Sequence, residues 1–438
     1  MSTRPLTRFF LIVAACMLAV SALADSQARI VRLSDVQGNV QINKNIGLGF
    51  ENAFLNLPVT QGTQLKTLSN GRAEIEFEDG STMRLAPNST VEFTTLGVDD
   101  SGKHVSAINL TGGMAYVNWL GKDDLNLSFL QEKIALEHAA HLRIDLSNQA
   151  ASVAVFKGDV EVDGTSGSVT VAKNKTAAFP AADNDKFTIA NKIAPAPLDS
   201  WDKESIEYHQ QYAKNNENQS PYGYGLSDLN YYGSYSNISG YGMMWQPFFA
   251  GAGWDPFMDG AWGFYPGMGY MFASAYPWGW LPYRYGNWMF IPPYGWMWQP
   301  GGWNNMLTVP SYTPTRLATV HALVAPSGTQ KTVFVGRGGT ASSLLPTRMT
   351  VNAGSAGMGI PRGSLGNLNH LNRQVNKSGF AEVHSAPQFA ASSARPFSGF
   401  GGPSGGSLSG PSGPSAAGHV SSGGHASGGG SSGGSGHR

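Results

Sequence analysis

From Arg29 to about Ile189, apolar and polar residues alternate in short runs separated by Gly, Pro, Asn and Asp. The clearest run is Arg72 to Glu78, where Ala73, Ile75 and Phe77 alternate with Glu74, Glu76 and Glu78. Period-2 alternation puts one set of side chains in a core and the other in water, so the three glutamates are expected to face solvent. Asp79-Gly80 is a hairpin turn, because both residues tolerate positive φ. The chain returns with Met83 and Leu85 inward, turns at Pro87-Asn88, and resumes with Val91 and Phe93 inward. Further strands are predicted at 106–110, 115–119, 125–129, 142–146, 152–156 and 160–162. The pattern reads as a mainly β chain whose first domain, 25–190, is an antiparallel β-sandwich or roll.

Residues 191–220 break the strand pattern and read as a linker. Asp199 there is placed to cap a short helix running to His209 or beyond, with Trp201, Tyr208 and Tyr212 near one face. Residues 221–305 form an aromatic, Gly- and Pro-rich module. Nine of the eleven tryptophans fall between Trp245 and Trp303, where only Asp255, Asp259 and Arg284 are charged. Trp254, Pro256, Phe257, Gly260 and Trp262 have the same spacing as Trp280, Pro282, Tyr283, Gly286 and Trp288. Trp245-Gln-Pro247 and Trp298-Gln-Pro300 open two further imperfect copies, and Trp262, Trp280 and Trp298 are eighteen residues apart. Fixed offsets of Trp, Pro and Gly predict stacked β-hairpins. A glycine-rich module with so few charges must bury most of its rings to fold, so the repeat aromatics are expected to be mainly structural. Tyr283, Arg284 and Tyr285 combine ring area with polar groups and are the candidate contact residues. Residues 306–438 are expected to be a largely disordered low-complexity tail, with one short strand at 332–335 and a dispensable Gly/Ser-rich end.

The N-terminus adds a compartment. Arg4 and Arg8 precede an apolar run from Phe9 to Val20, and Ala22-Leu23-Ala24 matches the small-x-small cleavage pattern, so residues 1–24 read as a signal peptide. A competing lipobox at 13–16 would lipidate Cys16, but apolar residues continuing to Leu23 favour cleavage after Ala24. Cys16 is the only cysteine, so the mature chain forms no internal disulfide and relies on packing. Lys+Arg and Asp+Glu both number 29, which leaves no basic field for nucleic acid. Beyond the signal no transmembrane span is expected, since Gly and Pro interrupt the least charged stretch.

Gly62-Thr-Gln-Leu65-Lys-Thr67, Ala73 to Ser81, Leu85-Ala-Pro87-Asn-Ser89, Leu110-Thr-Gly112-Gly113 and Val155-Phe-Lys-Gly158-Asp-Val160 together resemble the FecR domain. One feature departs from it: His138 to Asp145 stands where the family often carries an Arg-Gly-Thr turn. The resemblance implies an exported bacterial envelope protein. Signal-relaying members carry a cytoplasmic sigma-factor-binding segment before a membrane helix, and an export signal directly before the domain leaves no such segment expected. Asp199-Ser-Trp201, Gly225-Leu-Ser-Asp228-Leu229 and the Trp-x-Pro repeats resemble the module that follows FecR domains in a recurrent architecture of unassigned activity.

Candidate chemistry is sparse. His138 and His141 would point to opposite faces of a strand and could not share an ion, so no metal site is expected there. The tail histidines His419, His425 and His437 lie in flexible sequence. Gly402 to Gly406 and Gly430 to Gly434 match the letters of a nucleophile elbow but lack its strand-to-helix setting. No catalytic or cofactor-binding residue is expected. The sequence therefore reads as a non-enzymatic envelope protein for binding or scaffolding, its partner an envelope protein or polysaccharide. Two alternatives stand beside it: a polysaccharide- or peptidoglycan-binding module using exposed aromatics, and a FecR-like envelope sensor or regulator.

Overall fold

The computed structural model describes residues 29–99, 101–147, 150–165, 167–180, 187–213, 223–303, 308–309, 332–335 and 347–385. The proposed signal peptide and the Gly/Ser-rich end lie outside the described residues.

The strand Arg72–Glu76 forms where the alternation puts it. Gly80 takes φ +89° in the turn, and the Asp79 carboxylate accepts from the backbone N and Oγ of Ser81 at 2.8 and 2.7 Å. Ile75 then pairs with Met83 on one side and Leu33 on the other, which makes this a central strand. One sheet runs Val31–Gln37, Arg72–Glu76, Thr82–Leu85, His104–Trp119, Ala140–Ser147, Ala150–Lys157, Thr176–Pro180 and Thr188–Ala190. A second runs Glu51–Asn52, Val40–Asn43, Gln64–Thr67, Thr90–Val98, His104–Trp119, Asp124–Phe129, Glu132–Leu136, Val160–Gly164 and Gly167–Val171. All these pairs are antiparallel except that of His104–Trp119 with Asp124–Phe129.

The long strand His104–Trp119 serves both sheets, where the sequence suggested two separate strands. It changes sheet at Gly112-Gly113. Gly113 has φ +82°, and a methyl group there would stand 2.4 Å from Ser89 Oγ, so only glycine permits the crossing. Aliphatic and aromatic residues from both sheets fill the core between them. Phe77, buried against Trp119 at 5.2 Å edge to face, is part of it. Phe77→Ala is expected to cost about 3–5 kcal/mol in chemical denaturation, the range for truncating a buried aromatic.

The glutamates of the same strand overturn the solvent expectation. Glu74, Glu76 and Glu78 are all buried. Arg32 is the register partner of Glu76 and Arg84 that of Glu74, so each acid meets a base on the adjoining strand. Helix α1 (Asp199–Ala213), helix α2 (Leu226–Tyr232) and the segment around Arg362 contribute the remaining partners of this face.

The aromatic region is built of hairpins, as its repeat predicts. Gly233–Ile238 pairs with Gly242–Pro247, Gly260–Tyr265 with Gly269–Ser274, and Tyr285–Ile291 with Gly295–Trp303. Trp245 and Trp298, the heads of the two Trp-Gln-Pro copies, are register partners joining the first and third hairpins. Glycine and aromatic residues alternate for a packing reason: a methyl group on Gly260 would lie 2.1 Å from the Phe272 ring, and one on Gly233 would lie 2.3 Å from the Trp245 ring. Trp245, Trp254, Trp280 and Trp298 are buried, Trp288 is half-buried, and Trp262 is 48% exposed. The eighteen-residue spacing thus does not mark equivalent sites. The equivalence lies within the longer motif: Trp254 and Trp280 each precede a hairpin as buried anchors, and Trp262 and Trp288 sit on the first strands.

Further elements follow residue 306. Strands Thr332–Val335, Thr347–Asn352 and Phe380–Ser385 form a sheet, and helix α3 (Leu368–Ser378) follows an Asn367 cap that accepts from His370 N at 2.9 Å. Met349, Val351, Ala356, Ile360, Leu365, Leu368, Val375 and Ala381 join the core of the tryptophans. Their polar composition hid them, because few apolar side chains suffice where tyrosines and tryptophans supply the area and the hydrogen bonds. Tyr231 and Tyr232 hydroxyls donate to the carbonyls of Leu365 and Ile360, and the Trp278 indole donates to that of Ala356.

Candidate functional site

The densest polar cluster lies where the N-terminal sandwich meets the aromatic region. Strand Arg72–Glu76 presents Glu74 and Glu76 side by side on one face, two residues apart. Glu74 accepts from Arg84 Nε (2.8 Å), Arg362 Nη1 (2.8 Å) and Ser34 Oγ (2.7 Å), and lies 2.9 Å from His209 Nε2. Glu76 accepts from Arg32 Nη1 and the backbone N of Gly225, both at 3.0 Å. Asp228, at the start of α2, pairs with Arg32 at 2.7 Å, accepts two bonds from Arg362 at 2.8 and 2.6 Å, and accepts the Tyr208 hydroxyl at 2.8 Å. Asp202 of α1 bridges Arg84 (2.9 Å) and His141 (2.7 Å).

Burial pulls the carboxyls of Glu74, Glu76 and Asp228 upward, and the surrounding charges decide each result. For Glu74, His209, Arg84 and Arg362 outweigh burial and hold the carboxyl well below its ordinary range. Asp228 is likewise lowered against burial by Arg362 and Arg32. Glu76 is raised, because burial and the nearby Asp228 exceed what His209 and Arg32 offset. The carboxylates are engaged by donors of the chain itself, and Glu74, Glu76 and Asp228 are at most 1% exposed. Such an arrangement joins elements of the chain through charge-assisted hydrogen bonds.

The joint extends through the strand's neighbours. Arg32 Nε donates to Asn56 and its Nη2 to Pro277 O, and Asn56 Nδ2 donates to the carbonyls of Ser274 and Tyr276. Tyr116 and Arg143 both reach Asp199 at the start of α1. Ala273 of the second hairpin packs into the sandwich core itself. The span read as a linker is therefore partly a bracket, with Tyr208 buried and Asp202 and His209 turned into the cluster.

The candidate contact residues are not on the surface. Tyr283, Arg284 and Tyr285 are buried, which removes them as a contact patch. The Tyr283 hydroxyl donates to Pro256 O, its ring stacks on Trp278 at 6.0 Å, and Tyr285 shares a 2.9 Å hydroxyl contact with Tyr224. The hydroxyls of Tyr283 and Tyr285 are engaged internally, and Arg284 Nη1 donates to the carbonyls of Phe272 and Tyr283. Among the histidines, His138 is exposed and His141 is committed to Asp202.

The rings that do reach solvent were not among the candidate contact residues, and Trp262 was expected to be mainly structural. Phe257, Trp262 and Tyr270 are exposed around the second hairpin, and Tyr241, Phe290 and Tyr294 at the ends of the first and third. Trp262 leans on Phe272 at 60°, and Phe264 on Tyr270 at 67°. A register argument could have found the Trp262 face, since positions 262 and 264 alternate with Gly263 and the buried Tyr265.

Residues 63–161 match the family model described as FecR protein. The chain carries a FecR domain. Its strands from Gln64–Thr67 to Val160–Gly164 fall within or at the edge of that match, and the sheets continue on both sides of it. Residues 226–325 match a family of unknown function, DUF6600, which begins at α2 and takes in all three hairpins. No curated protein matches the chain. Two crystal structures of a "putative anti-sigma factor" from Parabacteroides distasonis ATCC 8503, at 1.65 and 2.50 Å resolution, are similar at 15% and 14% identity. Each similarity covers 30% of this chain and 60% of that one, with TM-scores of 0.27 and 0.26. No helix among the described residues is long and apolar enough to cross a membrane.

Proposed function

We propose that this chain is a non-enzymatic regulator of the cell envelope, in which the aromatic hairpins engage a partner and the FecR domain conveys that state. The FecR match over 63–161 carries the reading. The buried joint supports it, because a contact on the hairpins can bias the FecR strands only through elements packed continuously between them. Asn56 and Arg32 hold the turn after the second hairpin, and Glu74 and Glu76 hold α2 and Arg362. Export to the periplasm or cell surface belongs to the same proposal. Exposed Trp262 and Tyr270 favour a second reading, binding of polysaccharide or peptidoglycan by ring stacking.

Deleting the gene should change expression of an envelope-responsive reporter. A Trp262→Ala/Tyr270→Ala chain should reproduce that change while keeping its abundance and thermal unfolding, since surface substitutions usually stay within about 0.5 kcal/mol. An unaltered reporter, together with retention of the purified chain on insoluble cell-wall polysaccharide that the double substitution abolishes, would replace the regulator reading with the second one.

A further inference from the structure

Arg284 carries a charge that its surroundings do not match. It is 1% exposed, and burial pulls its guanidinium down to about 10, still far above neutral pH. Nη1 donates to the carbonyls of Phe272 (2.8 Å) and Tyr283 (3.0 Å), and the guanidinium stands 4.8 Å from the Trp280 ring centre. Nε and Nη2 have no hydrogen-bond partner, and neither does the buried hydroxyl of the neighbouring Tyr265. Among the described residues no carboxylate pairs with Arg284.

The nearby acids are already matched. Glu51, whose field reaches Tyr265, is held by Lys44 at 3.0 Å, and that ammonium also stands 5.4 Å from the Tyr265 ring centre. Glu78, whose field reaches Tyr224, is held by Arg29 through bonds of 2.7 and 2.8 Å. Lys44, Arg29 and Arg284 against Glu51 and Glu78 leave one positive charge over. The phenols cannot supply the difference, because burial pushes both Tyr224 and Tyr265 above their ordinary range and keeps them protonated. An unmatched buried cation with free donors is costly, and an anion that accepts from those donors removes the cost.

We propose that Arg284 and Tyr265 bind a small inorganic anion of the chloride class at the junction of the FecR domain and the aromatic hairpins. Arg284 Nε and Nη2 and the Tyr265 hydroxyl are its donors. The near-complete burial restricts the ligand to a monatomic ion or one of similar size. The bound ion would tie the second hairpin to the segment that carries Lys44 and the strand that carries Glu51.

The test compares thermal unfolding of the whole exported chain in sodium chloride and in sodium gluconate at equal ionic strength. Chloride, and bromide in its place, should raise the Tm saturably by several degrees, whereas gluconate is too large to enter. Arg284→Met should lose that difference. Tyr265→Phe, which keeps the ring, should shift half-saturation to several-fold higher chloride. Crystals grown in bromide should show an anomalous peak within hydrogen-bond distance of Arg284 Nη2, which keeps the question open to measurement even where Arg284→Met fails to fold. Equal chloride responses in the wild-type chain and Arg284→Met, or water alone beside Arg284 in bromide crystals, would overturn the proposal.

Discussion

Truncation after residue 346 is expected to abolish cooperative unfolding of the aromatic region, whereas truncation after residue 391 should leave it unchanged. The segment 347–385 places eight apolar residues in the core shared with the tryptophans. At about 1.5–3 kcal/mol for each fully buried large side chain, the gross loss is on the order of 10 kcal/mol, comparable to the whole stability of a typical domain. It also removes the carbonyls that Tyr231, Tyr232 and Trp278 bond to, leaving buried donors unsatisfied. Near-ultraviolet circular dichroism and tryptophan emission during heating would report the outcome. A 1–346 fragment that kept a native spectrum and a sharp transition would show that the segment is only an accessory layer.

Glu74→Ala should cost about 3–5 kcal/mol, because it strands Arg84, Arg362 and His209 without their common acceptor. Glu204→Ala on the exposed side of α1 serves as the control and should stay within about 0.5 kcal/mol. The same cluster sets the acid limb of the stability curve. Glu74 and Asp228 are held below their ordinary values, so their contribution is complete above the unfolded carboxyl range. It is lost as the pH falls through the folded values. Glu76 is raised, so it takes up its proton earlier on acidification and opposes that loss in part. Urea midpoints measured from pH 7 to pH 3 should therefore hold or rise slightly before falling, and Glu74→Gln should flatten the fall. An acid limb identical in Glu74→Gln and wild type would mean that other carboxylates govern it.

The strand residues themselves were legible because periodicity reports local geometry. Ala73, Ile75 and Phe77 point inward as their alternation requires, and Asp79-Gly80 turns the chain as its φ preferences require. The opposite face was misread for an equally physical reason. Charged residues at alternate positions ordinarily mean water, but Glu74 and Glu76 have arginines at their register partners, and a matched face can be covered. Arg32 and Arg84 were visible in the sequence as strand residues, yet which one lies opposite which glutamate depends on pairing, and pairing is not local. Arg362 lies 288 residues from Glu74, beyond any local pattern.

The sequence by itself determined the strands of the FecR domain, the hairpin character of the aromatic repeat, and the need for most tryptophans to be core. These follow from side-chain period, turn chemistry and the scarcity of other apolar area. Only the tertiary structure decided which rings stay outside, and it exposed Trp262 while burying Tyr283, Arg284 and Tyr285. Composition alone cannot make that choice, because a tyrosine can satisfy its hydroxyl from water or from a buried carbonyl, and nothing local says which it meets. The three-dimensional arrangement of carbonyls, rings and carboxylates around each position made it, and that arrangement exists only once the two regions have closed on the shared joint.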